Sequence, residues 1–168
     1  DEITTMTLIP QVREATRLPL LAAGGIATGR GMLAAMALGA DGVQIGTRFA
    51  LSAESSAHEA FKARCTTLGE GDTMLCLKKL SPVRLVKNEF YARVAEAEAR
   101  GAGVEELREL LGARRSKRGI FEGDLAEGEL EIGQVASLVR RVEPAGEIVR
   151  EIITEFRTAR EEVQRWEI

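Results

Sequence analysis

The stretch PLLAAGGIATGRGMLAAMALGADGVQIGTRF, from Pro19 to Phe49, decides the fold of this chain. It holds two short apolar runs, Leu20 to Ala23 and Gly42 to Gly46, and glycine closes each of them. Between the runs, Gly31 to Leu38 is rich in Ala, Met and Leu, which predicts a helix that Gly39 would cap. The two predicted strands lie about 22 residues apart with a helical crossover, a pattern typical of a βαβ unit with parallel strands.

The first run, Leu20 to Ala23, is apolar at every position, so we expect its strand to be buried on both faces. From Glu54 onward we expect strands to stop and helices to dominate, with the segment from Leu75 to Val86 open between extended and helical structure. Two parallel strands cannot form a stable sheet alone, because their edges expose unpaired backbone groups. Either more strands come from elsewhere, or the chain is one part of a larger fold.

Outside the opening stretch, the apolar periodicity predicts mainly helices. We divide the chain into residues 1–53, with the βα units, and residues 54–168, a mainly helical subdomain. The predicted helices outside the opening stretch span residues 5–17, 54–67, 88–100, 104–111, 131–142 and 144–167.

Composition excludes several classes of function. The chain has 168 residues, a net charge of −3 and a pI of about 5.4, which argues against nucleic-acid binding through bulk positive charge. The basic run 113–118 is interpreted as a solvated loop or helix end rather than a phosphate patch. No apolar run reaches the roughly 18 residues of a membrane span. Cys65 and Cys76 form no CxxC pair, which favours a reduced, cytoplasmic protein.

The glycines after the two runs suggest a phosphate site. A glycine after a strand lets the backbone approach a ligand closely, and the free N–H groups of a following helix favour an anion. In a (β/α)8 barrel, the loops after strands seven and eight present such N–H groups to one phosphate. Here those loops would begin at Ala23-Gly24-Gly25 and at Gly46-Thr47, where the Thr47 hydroxyl could donate as well. The alternative is that these glycines serve only close packing, as in any α/β protein.

Four segments resemble one known family. The stretch from Ala22 to Phe49, SPVRLVKNEF at Ser81 to Phe90, FEGDLAEGELEIGQVASLV at Phe121 to Val139, and the helix from Pro144 to Phe156 look like the nitronate monooxygenase family. This family, formerly called 2-nitropropane dioxygenases, includes the flavin-dependent enoyl-acyl-carrier-protein reductase II. The first segment is shared more loosely by other phosphate-binding barrels such as IMP dehydrogenases, and the later segments are more specific.

The resemblance implies an FMN-dependent flavoprotein with an α/β fold, the C-terminal portion of a (β/α)8 TIM barrel (its last two strands) followed by a mainly helical subdomain. It implies NAD(P)H as a co-substrate and places Gln134 near the flavin or its supports. It places the FMN phosphate against Ala23, Gly24, Gly25, Gln44, Ile45, Gly46 and Thr47.

The resemblance supplies no catalytic residue and no metal ligand in this chain. The family's catalytic histidine lies in a Gly-Gly-His type loop upstream of the matched segment, and no such loop occurs here. The single histidine, His58, is interpreted as a surface or capping residue, and Cys65 and Cys76 as packing residues.

Three functions stay open from the sequence. The first is a part of an FMN oxidoreductase that reduces an enoyl thioester with NAD(P)H or oxidises a nitronate with oxygen, with a modest preference for the reductase-like branch. The second is a truncated, non-catalytic half-barrel that binds phosphate or oligomerises. The third is half of a different phosphate-binding barrel, against which the later motifs argue. The expected partners are a small-molecule or acyl-thioester substrate and a second copy of the chain, without nucleic acid or membrane.

Overall fold

The computed structural model describes residues 3–167, so Asp1, Glu2 and Ile168, on which the predicted domains begin and end, lie outside the described residues. The chain divides into two compact units. The first unit runs up to Glu54 and resumes at Glu143, and the second is Ser55–Val142. None of the helices in the described part of the chain is long and apolar enough to cross a membrane.

Helices and strands alternate in the first unit, and helices surround one hairpin in the second. The elements are α1 (Thr5–Ala15), β1 (Leu21–Ala23), α2 (Gly29–Ala37), β2 (Gly42–Gln44), α3 (Thr47–Ala50), α4 (Glu59–Thr66), β3 (Thr73–Cys76), β4 (Val83–Val86), α5 (Glu89–Ala99), α6 (Val104–Leu111) and α7 (Ala145–Gln164). A π-helical turn, Lys117–Phe121, and a 3-10 turn, Gln134–Leu138, lie between α6 and α7.

The predicted βαβ unit is confirmed. Strands β1 and β2 pair in parallel, with Ala22 opposite Val43 and Ala23 opposite Gln44, and α2 forms the crossover between them. The crossover helix ends where glycine was expected, since Gly39 takes a φ of +109° directly after the last turn. A side chain at that angle would be strained, so the residue type fixes the end of the helix.

Burial of β1 on both faces is not observed, and that prediction is wrong. Ala22 is buried in a cluster with Ile9, Ile26 and Ala35, whereas Leu21 is 63% exposed. Successive side chains of a strand point to opposite faces. The cluster covers the face of Ala22 and leaves the face of Leu21 open.

Helix α7 belongs to the first unit, whereas the predicted division placed the closing helix with residues 54–168. It crosses α2 so closely that a Cβ on Gly29 would lie 2.2 Å from the backbone N of Phe156. Only glycine permits this approach. Ile148 and Ile152 form the buried side of α7.

The second unit contains an antiparallel hairpin, so the prediction that strands stop at Glu54 is wrong. Strand β3 pairs with β4, Leu75 opposite Arg84 and Cys76 opposite Val83. The connection begins at Leu77, whose φ of +55° is unusual for a non-glycine residue. Because turns are usually predicted from glycine, the sequence gives no sign of this one. The hairpin packs against α5 and α6 through buried side chains that include those of Leu85, Phe90, Val94 and Leu107.

The helix predicted over residues 131–142 is also wrong for most of its length. Glu131 forms an isolated antiparallel bridge with Leu85, and the N–H of Ile132 donates to the carbonyl of Arg84 at 3.2 Å. Backbone that is committed to a neighbouring strand cannot wind into a helix. Only the short turn at Gln134–Leu138 is helical in this segment.

Candidate functional site

The two glycine turns emerge side by side from one edge of the β1–β2 sheet. Ala23 lies opposite Gln44 in the parallel register, so the residues that follow each strand leave at the same edge. Gly24 and Gly25 continue from β1, and Gly46 leads into α3. The sequence therefore predicted correctly that the two loops are neighbours.

The backbone at this edge is open. Apart from the adjoining residues of the chain, no heavy atom of residues 3–167 lies within 4 Å of the point where a Cβ would stand on Gly25 or Gly46. Gly25 has a φ of +71° and Gly24 of +102°, conformations that side chains rarely adopt. Among the described residues, no hydrogen bond outside the regular helices and strands uses the N–H of Gly25, Gly46 or Thr47. These groups are available to an anion, and the space beside them has room for one.

The first loop is held in place by α1. The hydroxyl of Thr5 donates to the carbonyl of Gly24 at 2.9 Å. A Cβ on Gly24 would stand 3.3 Å from that same hydroxyl oxygen, so the contact also limits which residue fits there. The loop conformation is thus fixed by a helix that precedes both strands.

The second loop is held by Arg48, which is not among the residues predicted from the sequence to form the site. Its guanidinium is buried, lies 3.1 Å from a carboxylate oxygen of Glu143 and 2.9 Å from one of Glu151, and donates to the carbonyl of Ala27 at 3.3 Å. Since Ala27 follows the first glycine turn, Arg48 ties both loops to each other and to the chain at α7. Glu143 is 95 positions away in the sequence, so the pair could not be predicted from local spacing. The one indication was that Arg48 is a charged residue inside an apolar stretch.

The start of α2 is not free, contrary to the expectation that the helix after the first turn offers its N–H groups to an anion. The Thr28 side chain accepts from the N–H of Gly31 at 3.0 Å, and Glu155 accepts from the N–H of Gly29 at 2.7 Å. A carboxylate of α7 thus already occupies the positive end of this helix. The candidate anion site is therefore the pair of turns and the first residue of α3.

The other predicted binding residues contribute in different ways. Gln44 is exposed at the end of β2, and Ile45 packs its side chain on the apolar cluster of the first unit. Thr47 is 9% exposed. Ile45 can therefore offer only its backbone, whereas Gln44 and Thr47 can offer side-chain groups. None of the seven predicted residues titrates near neutral pH, so this site can bind and orient a group but offers no acid or base.

His58 and the two cysteines behave as structural groups. His58 caps α4, its Nδ1 accepting from the N–H of Ala60 at 3.1 Å, and its ring lies against Gly123. Cys65 and Cys76 are both buried, and burial raises the pKa of each thiol to about 12. At neutral pH both thiols are therefore protonated and poor nucleophiles.

The two later motifs of the sequence meet in the second unit. Asn88, from SPVRLVKNEF, donates through its side-chain amide to the carbonyls of Leu125 and Gly128, both at 2.9 Å. Its Oδ1 accepts from the N–H of Tyr91, so one side chain both caps α5 and holds the loop at Leu125 and Gly128. Gln134 is exposed at the start of the 3-10 turn.

Comparison with known proteins identifies relatives of this chain. The family model described as nitronate monooxygenase matches residues 1–155. A protein named probable nitronate monooxygenase from Staphylococcus aureus (strain MSSA476) is 34% identical over 156 residues, covering 92% of this chain and 43% of the relative.

Two solved structures share the fold. FabK from Thermotoga maritima superposes with a TM-score of 0.90 at 36% identity, covering 98% of this chain and 52% of that one. A nitroalkane oxidase from Streptomyces ansochromogenes gives a TM-score of 0.77 at 31% identity, covering 96% and 46%. The chain thus spans about half the length, or less, of the proteins that it matches.

Proposed function

Since the chain belongs to the nitronate monooxygenase family, we propose that it is part of a flavin-dependent oxidoreductase and that its first unit holds the phosphate of FMN. The observation that carries the proposal is the open pair of glycine turns at one sheet edge. Within residues 3–167, the N–H groups of Gly25, Gly46 and Thr47 enter no hydrogen bond outside the regular helices and strands. A phosphate monoester is the group such a backbone cradle fits.

The residues of this chain would bind and orient the cofactor. We assign the phosphate to the backbone of Ala23, Gly24, Gly25, Ile45 and Gly46 and to the side chains of Gln44 and Thr47. When bound, FMN supplies the redox chemistry, and the protein positions it. Arg48 fixes the distance between the two loops through its bond to Ala27.

We also assign β1 and β2 to the last two strands of a (β/α)8 barrel. Phosphate sites in such barrels form at the loops after strands seven and eight. The solved relatives of this chain are TIM barrels. The exposed face of Leu21 supports the assignment, because barrel strands are covered on both faces.

For the substrate we propose an enoyl thioester reduced with NAD(P)H in the cytoplasm, with oxidation of a nitronate as the alternative within the family. The closer likeness to FabK, a TM-score of 0.90 against 0.77 for the nitroalkane oxidase, supports the first. The second candidate function is a phosphate-binding module without chemistry of its own. It is favoured by the seven site residues, which include no acid or base.

The test compares FMN with riboflavin, which lacks the phosphate. We expect the purified chain to take up FMN with flavin absorbance and to bind riboflavin at least tenfold more weakly, because the phosphate contacts are lost. The variant Gly46→Val should weaken FMN binding at least tenfold and leave riboflavin binding unchanged. Gly103→Val is the matched control, because Gly103 also faces open space and has a negative φ.

Each outcome decides a different point. No FMN uptake, even with excess FMN, would contradict a cofactor site formed by this segment. Equal affinity for FMN and riboflavin, or unchanged FMN binding by Gly46→Val, would contradict the phosphate assignment. If FMN binds but NAD(P)H does not bleach it, the binding module is the better description of this chain.

A further inference from the structure

The second unit contains a cleft that is separate from the glycine turns. It has a volume of about 200 Å³ and lies beside the connection between β3 and β4. Leu77, Leu80 and Val83 from the hairpin and Leu111 from the end of α6 form apolar walls. Apolar walls of this kind hold a hydrocarbon chain rather than a hydrated ion.

Two carboxylates enter this apolar cleft. Glu129 and Glu131 both line it, and they stand two positions apart in the extended segment that bridges to Leu85. Alternate residues of extended backbone share a face, which brings both acidic side chains to the cleft. Leu130, between them, is buried.

Glu129 is a largely buried residue whose carboxylate lacks a hydrogen-bonding partner among the described residues. The residue is only 8% exposed, and within the described part of the chain its carboxylate makes no hydrogen bond and no ion pair closer than 4 Å. Arg115 acts on it only at longer range. Its oxygens are not fully enclosed, since the one enclosed side-chain N or O atom without a partner in the described residues is Arg13 Nε, and the residue lines the cleft. A poorly solvated carboxylate at a cleft favours a cation there.

We propose that this cleft binds a small primary alkylammonium, with its ammonium on Glu129 and Glu131 and its alkyl chain against the leucines. An ammonium has three donors and no acceptor, which suits two acidic side chains. A divalent metal ion would need more oxygen ligands than two carboxylates supply. The ligand is a free amine with a short hydrocarbon chain.

The pKa of Glu129 supports the same site. Burial and the neighbouring Glu131 raise the pKa of Glu129 to about 7, partly offset by Arg115. Partial loss of water raises the pKa of Glu131 as well, although that residue is exposed at the mouth of the cleft. The nearby thiol of Cys76, with a pKa of about 12, stays neutral. Amine binding should therefore tighten as pH rises from 6 to 8 and Glu129 ionises.

The experiment is a titration of the isotope-labelled chain with n-hexylamine hydrochloride, followed by NMR. We expect saturable shifts of the methyl groups of Leu77, Leu80, Val83 and Leu111, with affinity in roughly the millimolar range for a ligand of this size. 1-Hexanol, which has the same chain without the charge, should bind at least tenfold more weakly. Potassium chloride at the same ionic strength should not displace the amine.

Variants test the role of the carboxylate. Glu129→Gln, which keeps the shape and removes the charge, should weaken hexylamine about ten- to a hundredfold. Glu70→Gln removes a charge from an exposed residue outside the cleft and should leave binding unchanged. The amide spectrum of each variant reports directly whether it is folded. The proposal is overturned if hexylamine causes no shifts, if hexanol binds equally well, or if folded Glu129→Gln binds as tightly as the wild type.

Discussion

In the first unit, the guanidinium of Arg48 is buried between Glu143, Glu151 and the carbonyl of Ala27. In the second unit, Glu129 is as little exposed, yet its carboxylate has no such partners among the described residues and faces a cleft. The two groups are exposed to almost the same small extent, so the difference lies in their neighbours. A paired buried charge fixes the backbone groups that it contacts. A buried carboxylate without a hydrogen-bonding partner raises the free energy of the folded state until a proton or a cation reaches it.

The largest effect is expected when the paired charge is broken. Arg48→Met removes the buried guanidinium from Glu143 and Glu151 and removes the bond to Ala27. Removal of one partner of a buried pair costs about 3–5 kcal/mol, and we expect the free energy of unfolding to fall by about that amount. Urea denaturation followed by circular dichroism measures it.

Arg30→Met is the control for this variant, because Arg30 pairs with Glu162 at the surface of the same unit. Exposed pairs contribute about 0–1 kcal/mol, so the change should stay in that range. If both variants lose the same free energy of unfolding, the burial of Arg48 does not strengthen its ion pairs. The comparison between the units would then fail.

A smaller effect of opposite sign is expected when the unpaired charge is removed. The pKa of Glu129 is raised to about 7 in the folded chain, above the unfolded value of 4.5. Between these values the folded state binds more protons than the unfolded state, so the stability contributed by this group falls as pH rises through the window. Glu129→Gln should therefore gain stability relative to the wild type as pH rises from 5 to 8, by no more than about 2 kcal/mol because the cleft lets water reach the carboxylate.

Urea denaturation at pH 5 and pH 8 measures this gain. Glu70→Gln, exposed in the same unit, should change by no more than about 0.5 kcal/mol at either pH. A difference between Glu129→Gln and the wild type that does not vary with pH would show that the carboxylate of Glu129 is well solvated. The contrast with Arg48 would then disappear.

The smallest effect is expected at the cap of α4, which involves neither Arg48 nor Glu129. His58→Ala removes the acceptor that caps α4 and should cost about 1 kcal/mol, by thermal unfolding. His58→Asn restores a capping side chain and should recover most of the loss. A loss near that of Arg48→Met would show that the ring of His58 matters for packing on Gly123 more than for capping.

The first unit was easier to predict from sequence than the second because its decisive contacts are local. The glycines that follow the strands and the apolar runs before them lie within one short stretch, and the parallel pair of β1 and β2 followed from it. The role of Arg48 did not, because Glu143 and Glu151 come from a distant segment. The prediction that the N–H groups at the start of α2 are free was wrong for the same reason. Glu155, which accepts from the N–H of Gly29, also comes from the distant helix α7.

In the second unit, the secondary structure is set by contacts between segments more than by local sequence patterns. Strands β3 and β4 are four residues each, and the turn between them begins at Leu77 rather than at glycine. The segment after Gly128 has apolar residues at helix-like spacing, yet it extends to bridge with Leu85. The extended backbone also places Glu129 at the cleft. The bridge to Leu85 therefore explains both why no helix forms here and why Glu129 lines the cleft.

The close crossing of α2 and α7 at Gly29 has a consequence for the order of events during synthesis. The residues that complete the first unit, from Glu143 onward, are translated only after the whole second unit. Domains generally fold as they leave the ribosome, and distant contacts form more slowly than local ones. The hairpin unit can therefore fold while β1 and β2 still wait for α7. Until α7 is synthesised, α2 lacks the helix that packs on it at Gly29, and Arg48 lacks both of its carboxylate partners.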